Sequence, residues 1–84
     1  MKKQKVKERQ KIYDIEGLQQ LANSLKAERK KKGFTQEQLA YESEITLSQI
    51  ARIETVKSNP TVSTIFKIAR TLNIQVSELF NFKL

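Results

Sequence analysis

The sequence predicts an all-α fold of five helices in one domain, and three observations support this prediction. Apolar residues recur at spacings of three and four along most of residues 15–80, which is the period of an amphipathic helix. Two helix starts with the same capping signal stand eleven residues apart, and no stretch alternates convincingly between apolar and polar residues. A chain of 84 residues has room for one modest core.

The first helix is predicted at residues 16–31. Its apolar residues at helical spacing are Leu18, Leu21, Ala22 and Leu25. Lysine and arginine fill the last turn, where positive charge complements the helix dipole, and Gly33 can leave the helix in the left-handed conformation. The dipole alone explains this basic run, and contacts with phosphates are compatible with it.

The second and third helices are predicted at residues 36–43 and 47–55. The capping-box pairs are Thr35 with Gln38 and Thr46 with Gln49, and the hydrophobic-staple pairs are Phe34 with Leu39 and Ile45 with Ile50. Only residues 44–46 remain for the connection, so two short helices are joined by a tight turn. In this geometry the second helix can present a face of side chains to the DNA major groove.

A fourth helix is predicted after the turn signal at residues 58–60, with Thr61 as its cap and Asn73 at its end. Its broad apolar face consists of Val62, Ile65, Phe66, Ile68, Ala69 and Leu72. A short fifth helix or turn then closes the core with Ile74, Val76, Leu79 and Phe80.

The net charge of +7 is concentrated in the first third of the chain. Residues 1–32 carry eleven Lys or Arg against four Asp or Glu, whereas residues 33–84 carry five of each. This asymmetry is typical of a protein with a nucleic-acid or anionic partner, but a solvated basic tail explains it equally well. We expect residues 1–15 to form a flexible basic arm, able to reach phosphates or a minor groove or simply disordered, and residues 16–84 to form the domain.

The composition also excludes several kinds of site. Because the chain has no Cys and no His, it has no disulfide, no Cys or His metal site, no Cys nucleophile and no His base. An enzyme is therefore disfavoured, and neither a cofactor nor a metal is expected. No apolar run approaches the roughly 18 residues of a membrane span, and the first residues lack a signal-peptide core, so a cytoplasmic protein is expected.

Residues 21–80 resemble the DNA-binding domains of the phage-repressor and Cro type, which are lambda-repressor-like helix-turn-helix domains of the XRE family. The matching landmarks are Arg29, the TQEQLA opening of the second helix, Ile45 and Ile50, Ile53 with Glu54, the NPT turn at 59–61 and the closing SELF. As a linked series these landmarks are specific. The resemblance implies a five-helix bundle that contains a helix-turn-helix and binds double-stranded DNA.

The resemblance also implies roles for individual residues. The implied DNA-binding residues are Gln36, Thr46, Leu47, Ser48, Ala51, Arg52 and Lys57. Gln36 corresponds to a phosphate-contacting glutamine at a helix N-terminus, although capping alone explains Gln36 and Thr46 as well. Arg52 is the candidate for reading a guanine, with a phosphate contact or an acidic neighbour as the alternative. Arg29 and Glu54 correspond to a partly buried ion pair.

Two positions depart from the family pattern. Glu44 occupies the turn position that usually holds Gly, and Val56 replaces the Gly that is common after the third helix. A β-branched residue in the left-handed region is an outlier that costs about 1–3 kcal/mol. The third helix is therefore expected to end differently from its relatives, in the loop of residues 55–59.

The function that follows is a sequence-specific transcription regulator that binds double-stranded DNA, and more specifically a repressor that acts as a homodimer on a palindromic operator. Phe82 and Leu84, apolar residues beyond the predicted core, fit a dimer contact. The alternative is a helical protein-interaction module, such as an antitoxin whose main task is to bind a protein partner. No membrane partner is expected.

Overall fold

The computed structural model describes residues 13–84, and it is all-α with no strand in that range. The elements are α1 (Ile15–Lys31), α2 (Gln36–Ser43), α3 (Leu47–Glu54), α4 (Val62–Leu72) and a C-terminal 3-10 turn (Val76–Leu79). The prediction of a fifth helix is wrong, because four α-helices and this single turn make up the described chain. The prediction of a basic arm falls mostly on residues 1–12, which lie outside the described residues.

The last element spans only four residues and has the hydrogen bonds of a 3-10 helix. The amide of Glu78 donates to the Gln75 carbonyl and that of Phe80 to the Ser77 carbonyl, both with the three-residue spacing of a 3-10 helix. No side chain caps its start. Within this turn only Leu79 is buried, so one apolar anchor has to offset the cost of helix nucleation.

Helix α1 begins one residue earlier than predicted because Asp14 caps it. The Asp14 Oδ1 accepts a hydrogen bond of 3.0 Å from the amide of Gly17. At the other end Gly33 has a φ of +78°, and the amide of Phe34 donates to the Arg29 carbonyl at 3.0 Å. This left-handed ending turns the chain back so that α2 can start beside the last turn of α1.

Both predicted capping boxes are confirmed. In each, the threonine hydroxyl accepts from the backbone of the glutamine three residues later, and the glutamine side chain accepts from the threonine amide. Phe34 and Ile45, which precede the two caps, pack against the core cluster that contains Leu39 and Ile50. Both short helices therefore have fixed starting points and fixed entry angles.

Helices α2 and α3 both end with a non-glycine residue in the left-handed region. Glu44 and Val56 each have a φ of 59°. After Val56, the amide of Lys57 donates to the Arg52 carbonyl at 2.8 Å. The left-handed conformation that a glycine would adopt is thus present at Val56 despite its β-branched side chain, so the prediction that α3 would end differently because of Val56 is wrong.

The core is formed by all four helices and the 3-10 turn. Its largest fully buried side chains are Leu25, Leu39, Ile50, Ile68, Leu72 and Leu79. The predicted apolar face of α4 is only partly buried, because Val62 is 64% exposed and Phe66 is 43% exposed. Periodicity located the face of α4, but tertiary packing covers only Ile65, Ile68, Ala69 and Leu72.

Candidate nucleic-acid interface

The helix-turn-helix consists of α2, the three-residue connection 44–46 and α3. Ile45 is buried in the connection and anchors it to the core. Helix α3 packs against both α1 and α2, so one side of this eight-residue helix is covered and the other is open. The open side is the surface that could enter a groove of DNA.

The open side of α3 carries the residues that the resemblance implied for DNA. Thr46, Leu47, Ser48 and Arg52 are exposed, and Ala51 is half-buried, whereas Ile50, Ile53 and Glu54 are buried. The exposed side chains of this helix include no carboxylate, so nothing on the helix itself repels a phosphate backbone. The surface is small and mostly uncharged, with one long cation.

Thr46 has a capping role in the structure. Its hydroxyl accepts from the Gln49 amide at 3.0 Å and lies 3.2 Å from Gln49 Oε1, which also accepts from the Thr46 amide at 3.0 Å. The hydroxyl is therefore bonded within the capping box. Any contact that Thr46 makes with DNA has to use its remaining lone pair or its methyl group.

Arg52 is exposed, but its side chain is not extended into solvent. Its Nη2 donates a hydrogen bond of 2.8 Å to the carbonyl oxygen of Lys57. The side chain thus folds along the end of α3 and closes the loop that contains Val56. The structure places Lys57 beside Arg52 at this end of the helix, with its own side chain exposed.

Behind α3, the carboxylate of Glu54 binds two side chains from other helices. Arg29 of α1 donates from Nε to Glu54 Oε2 at 2.7 Å and from Nη2 to Oε1 at 3.1 Å. Gln36 of α2 donates from Nε2 to Oε1 at 2.8 Å. Arg29 also donates from Nη1 to the Phe34 carbonyl at 2.8 Å. The Glu54 carboxylate therefore links three helices, and Arg29 connects the α1–α2 loop to them.

Gln36 is consequently not a side chain that points freely toward DNA. It is the first residue of α2, it is half-buried, and its amide nitrogen is directed at Glu54. The amide nitrogen has a second hydrogen, and the amide oxygen is an additional acceptor. The structure therefore brings Gln36 together with the ion pair, whereas the other six DNA-binding candidates lie on or just beside α3.

Gln49 is a further candidate for this surface, which the sequence prediction assigned to capping alone. Gln49 is exposed, and it lines a cleft of about 190 Å³ with Arg52 and with residues 58–61 and Thr64. Its spacing of three from Arg52 was the available signal, since residues three apart share a helix face. Its Nε2 group is available to an additional acceptor.

A basic surface separate from α3 lies at the end of α1. Lys30, Lys31 and Lys32 are exposed, and Lys31 Nζ lies 3.5 Å from Glu28 Oε2. These lysines precede the start of α2, so they carry positive charge close to the helix N-terminus that holds Gln36. Both the dipole role and a phosphate role remain compatible with this position.

A comparison with models of protein families agrees with this fold. The helix-turn-helix family model HTH_3 matches residues 25–79. The chain belongs to this family of DNA-binding transcription regulators. The match spans all of α2, α3 and α4, and it confirms the resemblance that residues 21–80 indicated.

Individual relatives support the same assignment. The chain is 41% identical to the HTH-type transcriptional regulator SlrR of Bacillus subtilis (strain 168) over 54 residues, which make up 63% of this chain and 36% of SlrR. It is 37% identical to the antitoxin HipB of Escherichia coli (strain K12) over 68 residues, 81% of this chain and 74% of HipB. Thus the chain spans only about a third of SlrR.

Among solved structures, the fold is similar to that of the restriction-modification controller protein C.AhdI from Aeromonas hydrophila. The TM-score is 0.73 at 33% identity, and the similarity covers 75% of this chain and 96% of that one. Within residues 13–84, no helix is long and apolar enough to cross a membrane. The same residues contain no group of three His, Cys, Asp or Glu side chains that could hold a metal ion.

Proposed function

We propose that this protein is a sequence-specific regulator that binds double-stranded DNA by inserting α3 into the major groove. The observation that supports this most directly is the open side of α3. It presents Leu47, Ser48 and Arg52 without an exposed carboxylate, while the buried side of the helix is fixed by Glu54. A rigid helix with an uncharged face and one arginine suits base contacts, for which phosphate contacts elsewhere set the register.

Each side chain on this face has a suitable base contact. Arg52 can donate to O6 and N7 of a guanine once it releases the Lys57 carbonyl. Leu47, which is 42% exposed, and Ala51 offer apolar contact to a thymine methyl group, and Ser48 can donate or accept. Lys57 and Gln36 are proposed as phosphate contacts at the two ends of the helix-turn-helix.

We further propose that the protein binds its operator as a homodimer, with a contact face on α4 and the C-terminal 3-10 turn. Val62 and Phe66 protrude one turn apart on α4, and Val76 and Phe80 are exposed beside them. A cleft of about 390 Å³ borders this row and is lined by Leu18, Leu21, Val62, Ile65, Phe80, Phe82 and Leu84, among others. A second cleft of about 180 Å³ lies between Phe66 and Val76.

A second copy of the chain fits this face because the face contains both protruding rings and clefts. In a two-fold contact the same patch meets itself, so a knob on one copy needs a hole on that same patch. Such a dimer would present two α3 helices to successive major grooves about 34 Å apart, which corresponds to a palindromic operator. A dimer bound over a promoter blocks access to it, so we propose repression as the mode of regulation. A regulator of this kind works in the cytoplasm with its operator.

Selection of bound sequences from a random duplex pool tests the proposal. We expect enrichment of two inverted half-sites whose centres are one helical turn apart. Val62→Asp, on the proposed dimer face, should reduce the mass seen in sedimentation equilibrium and the affinity for the full site. Ser63→Asp, at an exposed α4 position outside the apolar row and with the same change in charge, is the matched control. Enrichment of no sequence at all would contradict DNA recognition.

The similarity to HipB favours one second candidate, an antitoxin that mainly binds a protein partner. The two functions differ in their dependence on DNA. Binding of arbitrary duplex DNA that weakens steeply with salt is expected of the regulator, since phosphate contacts release counterions. Absence of such binding, together with formation of a stable complex with a folded protein partner, would favour the antitoxin.

A further inference from the structure

The loop after α3 holds a valine in a backbone conformation that favours glycine. Val56 has a φ of 59°, in the left-handed region, where a β-branched side chain is an outlier. Glu44 and Asn73 are the other non-glycine residues of the range 13–84 with a positive φ, and neither is β-branched. Backbone strain of this kind persists only where neighbouring contacts fix the conformation. The contacts around Val56 must therefore offset its strain.

Two hydrogen bonds between Arg52 and Lys57 enclose Val56. The Lys57 amide donates to the Arg52 carbonyl at 2.8 Å, and Arg52 Nη2 donates to the Lys57 carbonyl, also at 2.8 Å. The first joins neutral backbone groups, whereas the second has a charged donor and is the stronger kind of bond. The side chain that closes the strained loop is thus the same one that is proposed to contact a base.

The side chain of Arg52 has to leave the loop when it contacts a guanine. A bidentate contact uses two of its N–H groups and directs the guanidinium into the major groove, away from the Lys57 carbonyl. Of the two bonds, the loop then retains the one between neutral groups, while the strain at Val56 is as large as before. With the stronger bond gone, the left-handed dihedral can relax to a region that valine prefers.

We propose that the strain at Val56 is released when Arg52 contacts its base, and that this release increases the preference for the operator. On a sequence without that guanine, Arg52 stays on the Lys57 carbonyl and the strain remains. On the operator, relaxation of the loop adds its free energy to that of the base contact. Val56 is therefore a positioning residue for specificity, although it touches no base. This inference rests on the proposed function, because it needs Arg52 to read a guanine.

A stability comparison tests the dependence of the strain on Arg52 without any DNA. Val56→Gly should raise the urea midpoint of the parent protein, because glycine adopts the left-handed conformation without strain. In the Arg52→Ala background the same substitution should not raise the midpoint, since the loop has already relaxed and only the entropy cost of glycine remains. Arg70→Ala, which removes an exposed arginine of α4, is the matched background in which the gain should persist.

A binding comparison tests the effect on recognition. Val56→Gly should lower the preference for the selected operator over random duplex DNA by roughly fivefold, which corresponds to the lower end of the strain expected for such a residue. Its affinity for random duplex DNA should equal that of the parent, since Arg52 stays on the loop there. On an operator variant that lacks the guanine read by Arg52, the glycine variant and the parent should also bind equally. A residue that only affects the stability of the fold would leave the preference for the operator unchanged.

The possible failures are distinguishable. Equal effects of Val56→Gly on the urea midpoint in the Arg52→Ala and Arg70→Ala backgrounds would overturn the inference, because the strain would then be independent of Arg52. An unchanged preference for the operator in Val56→Gly, or an equal loss of affinity on every duplex, would also overturn it, while the proposed function would stand. Failure of the parent protein to discriminate between sequences would instead overturn the proposed function, and no Val56 variant is needed to detect that outcome.

Discussion

The two sides of α3 differ sharply in how their charged residues are held. On the buried side, Glu54 accepts from Arg29 and Gln36 and connects three helices. On the open side, Arg52 has one hydrogen bond, to the carbonyl of a loop residue. The helix is therefore fixed on its buried side, whereas the side chain of Arg52, the proposed base contact, is held by one exposed hydrogen bond. A rigid helix with one adaptable side chain is suited to recognition, because binding then orders few side chains and costs little conformational entropy.

The largest expected effect is at Arg29. Arg29→Met should lower the free energy of unfolding by about 3 kcal/mol or more, because it leaves Glu54 buried with only the amide of Gln36. The double variant Arg29→Met with Glu54→Leu should recover much of this loss, since it removes the carboxylate as well. Unfolding in urea measures both. The single variant Glu54→Leu completes the comparison. If the losses of the two single variants simply add in the double variant, Arg29 and Glu54 do not stabilise the fold as a pair.

Arg52 on the open side should behave in the opposite way. Because the side chain is exposed and makes one hydrogen bond, to the Lys57 carbonyl, Arg52→Ala should lower the free energy of unfolding by no more than about 1 kcal/mol. It should relax the preference at one base pair of each half-site, where a bidentate guanine contact contributes about 1–3 kcal/mol. Binding to operator variants measures the ranking. An unchanged ranking with a uniform loss of affinity would assign Arg52 to a phosphate instead.

A smaller effect is expected at Val56, the second residue past the end of α3. Val56→Gly should stabilise the fold by about 1 kcal/mol, because glycine removes left-handed strain of about 1–3 kcal/mol at the expense of some chain entropy. Val56→Ala is the matched control, since it shortens the side chain but retains a Cβ. Thermal and urea unfolding compare the two. A glycine variant that is less stable than the alanine variant would mean that the loop stores no strain, since only the entropy cost of glycine would then remain.

The smallest effect is expected at Lys57. Lys57→Met should leave stability and base preference unchanged, because only its side chain is removed and its carbonyl still accepts from Arg52. If the ammonium touches a phosphate, the slope of log K against log salt should become shallower by roughly 0.9. Titration at several salt concentrations measures it. An unchanged slope would show that the Lys57 ammonium does not contact a phosphate.

The helix starts could be predicted because their causes are local. A threonine and a glutamine three residues apart make the same capping box wherever a helix begins, and Thr35 and Thr46 both do so. The bond from Gln36 to Glu54 could not be predicted in this way. The two residues are 18 apart, and the same glutamine could equally have faced solvent. Only the tertiary arrangement selects between these alternatives.

Two other differences also have tertiary causes. The apolar spacing after Asn73 indicated a short helix or turn, and with Leu79 as its one buried residue the segment Val76–Leu79 forms a 3-10 turn. At Val56 the local rule against a left-handed β-branched residue is overridden in the fold. The amide of Lys57 bonds to the Arg52 carbonyl, and the Arg52 side chain returns a bond to the Lys57 carbonyl, so the loop is held from both sides.

The exposed apolar row on α4 has a consequence for how such a regulator would respond in a cell. If a second copy covers Val62 and Phe66, the operator is recognised by a species whose amount depends on mass action. When most chains are single, the amount of dimer rises with the square of the amount of protein. A modest change in synthesis would then produce a larger change in promoter occupancy. The exposed apolar row on α4 would thus determine how steeply occupancy depends on the protein concentration.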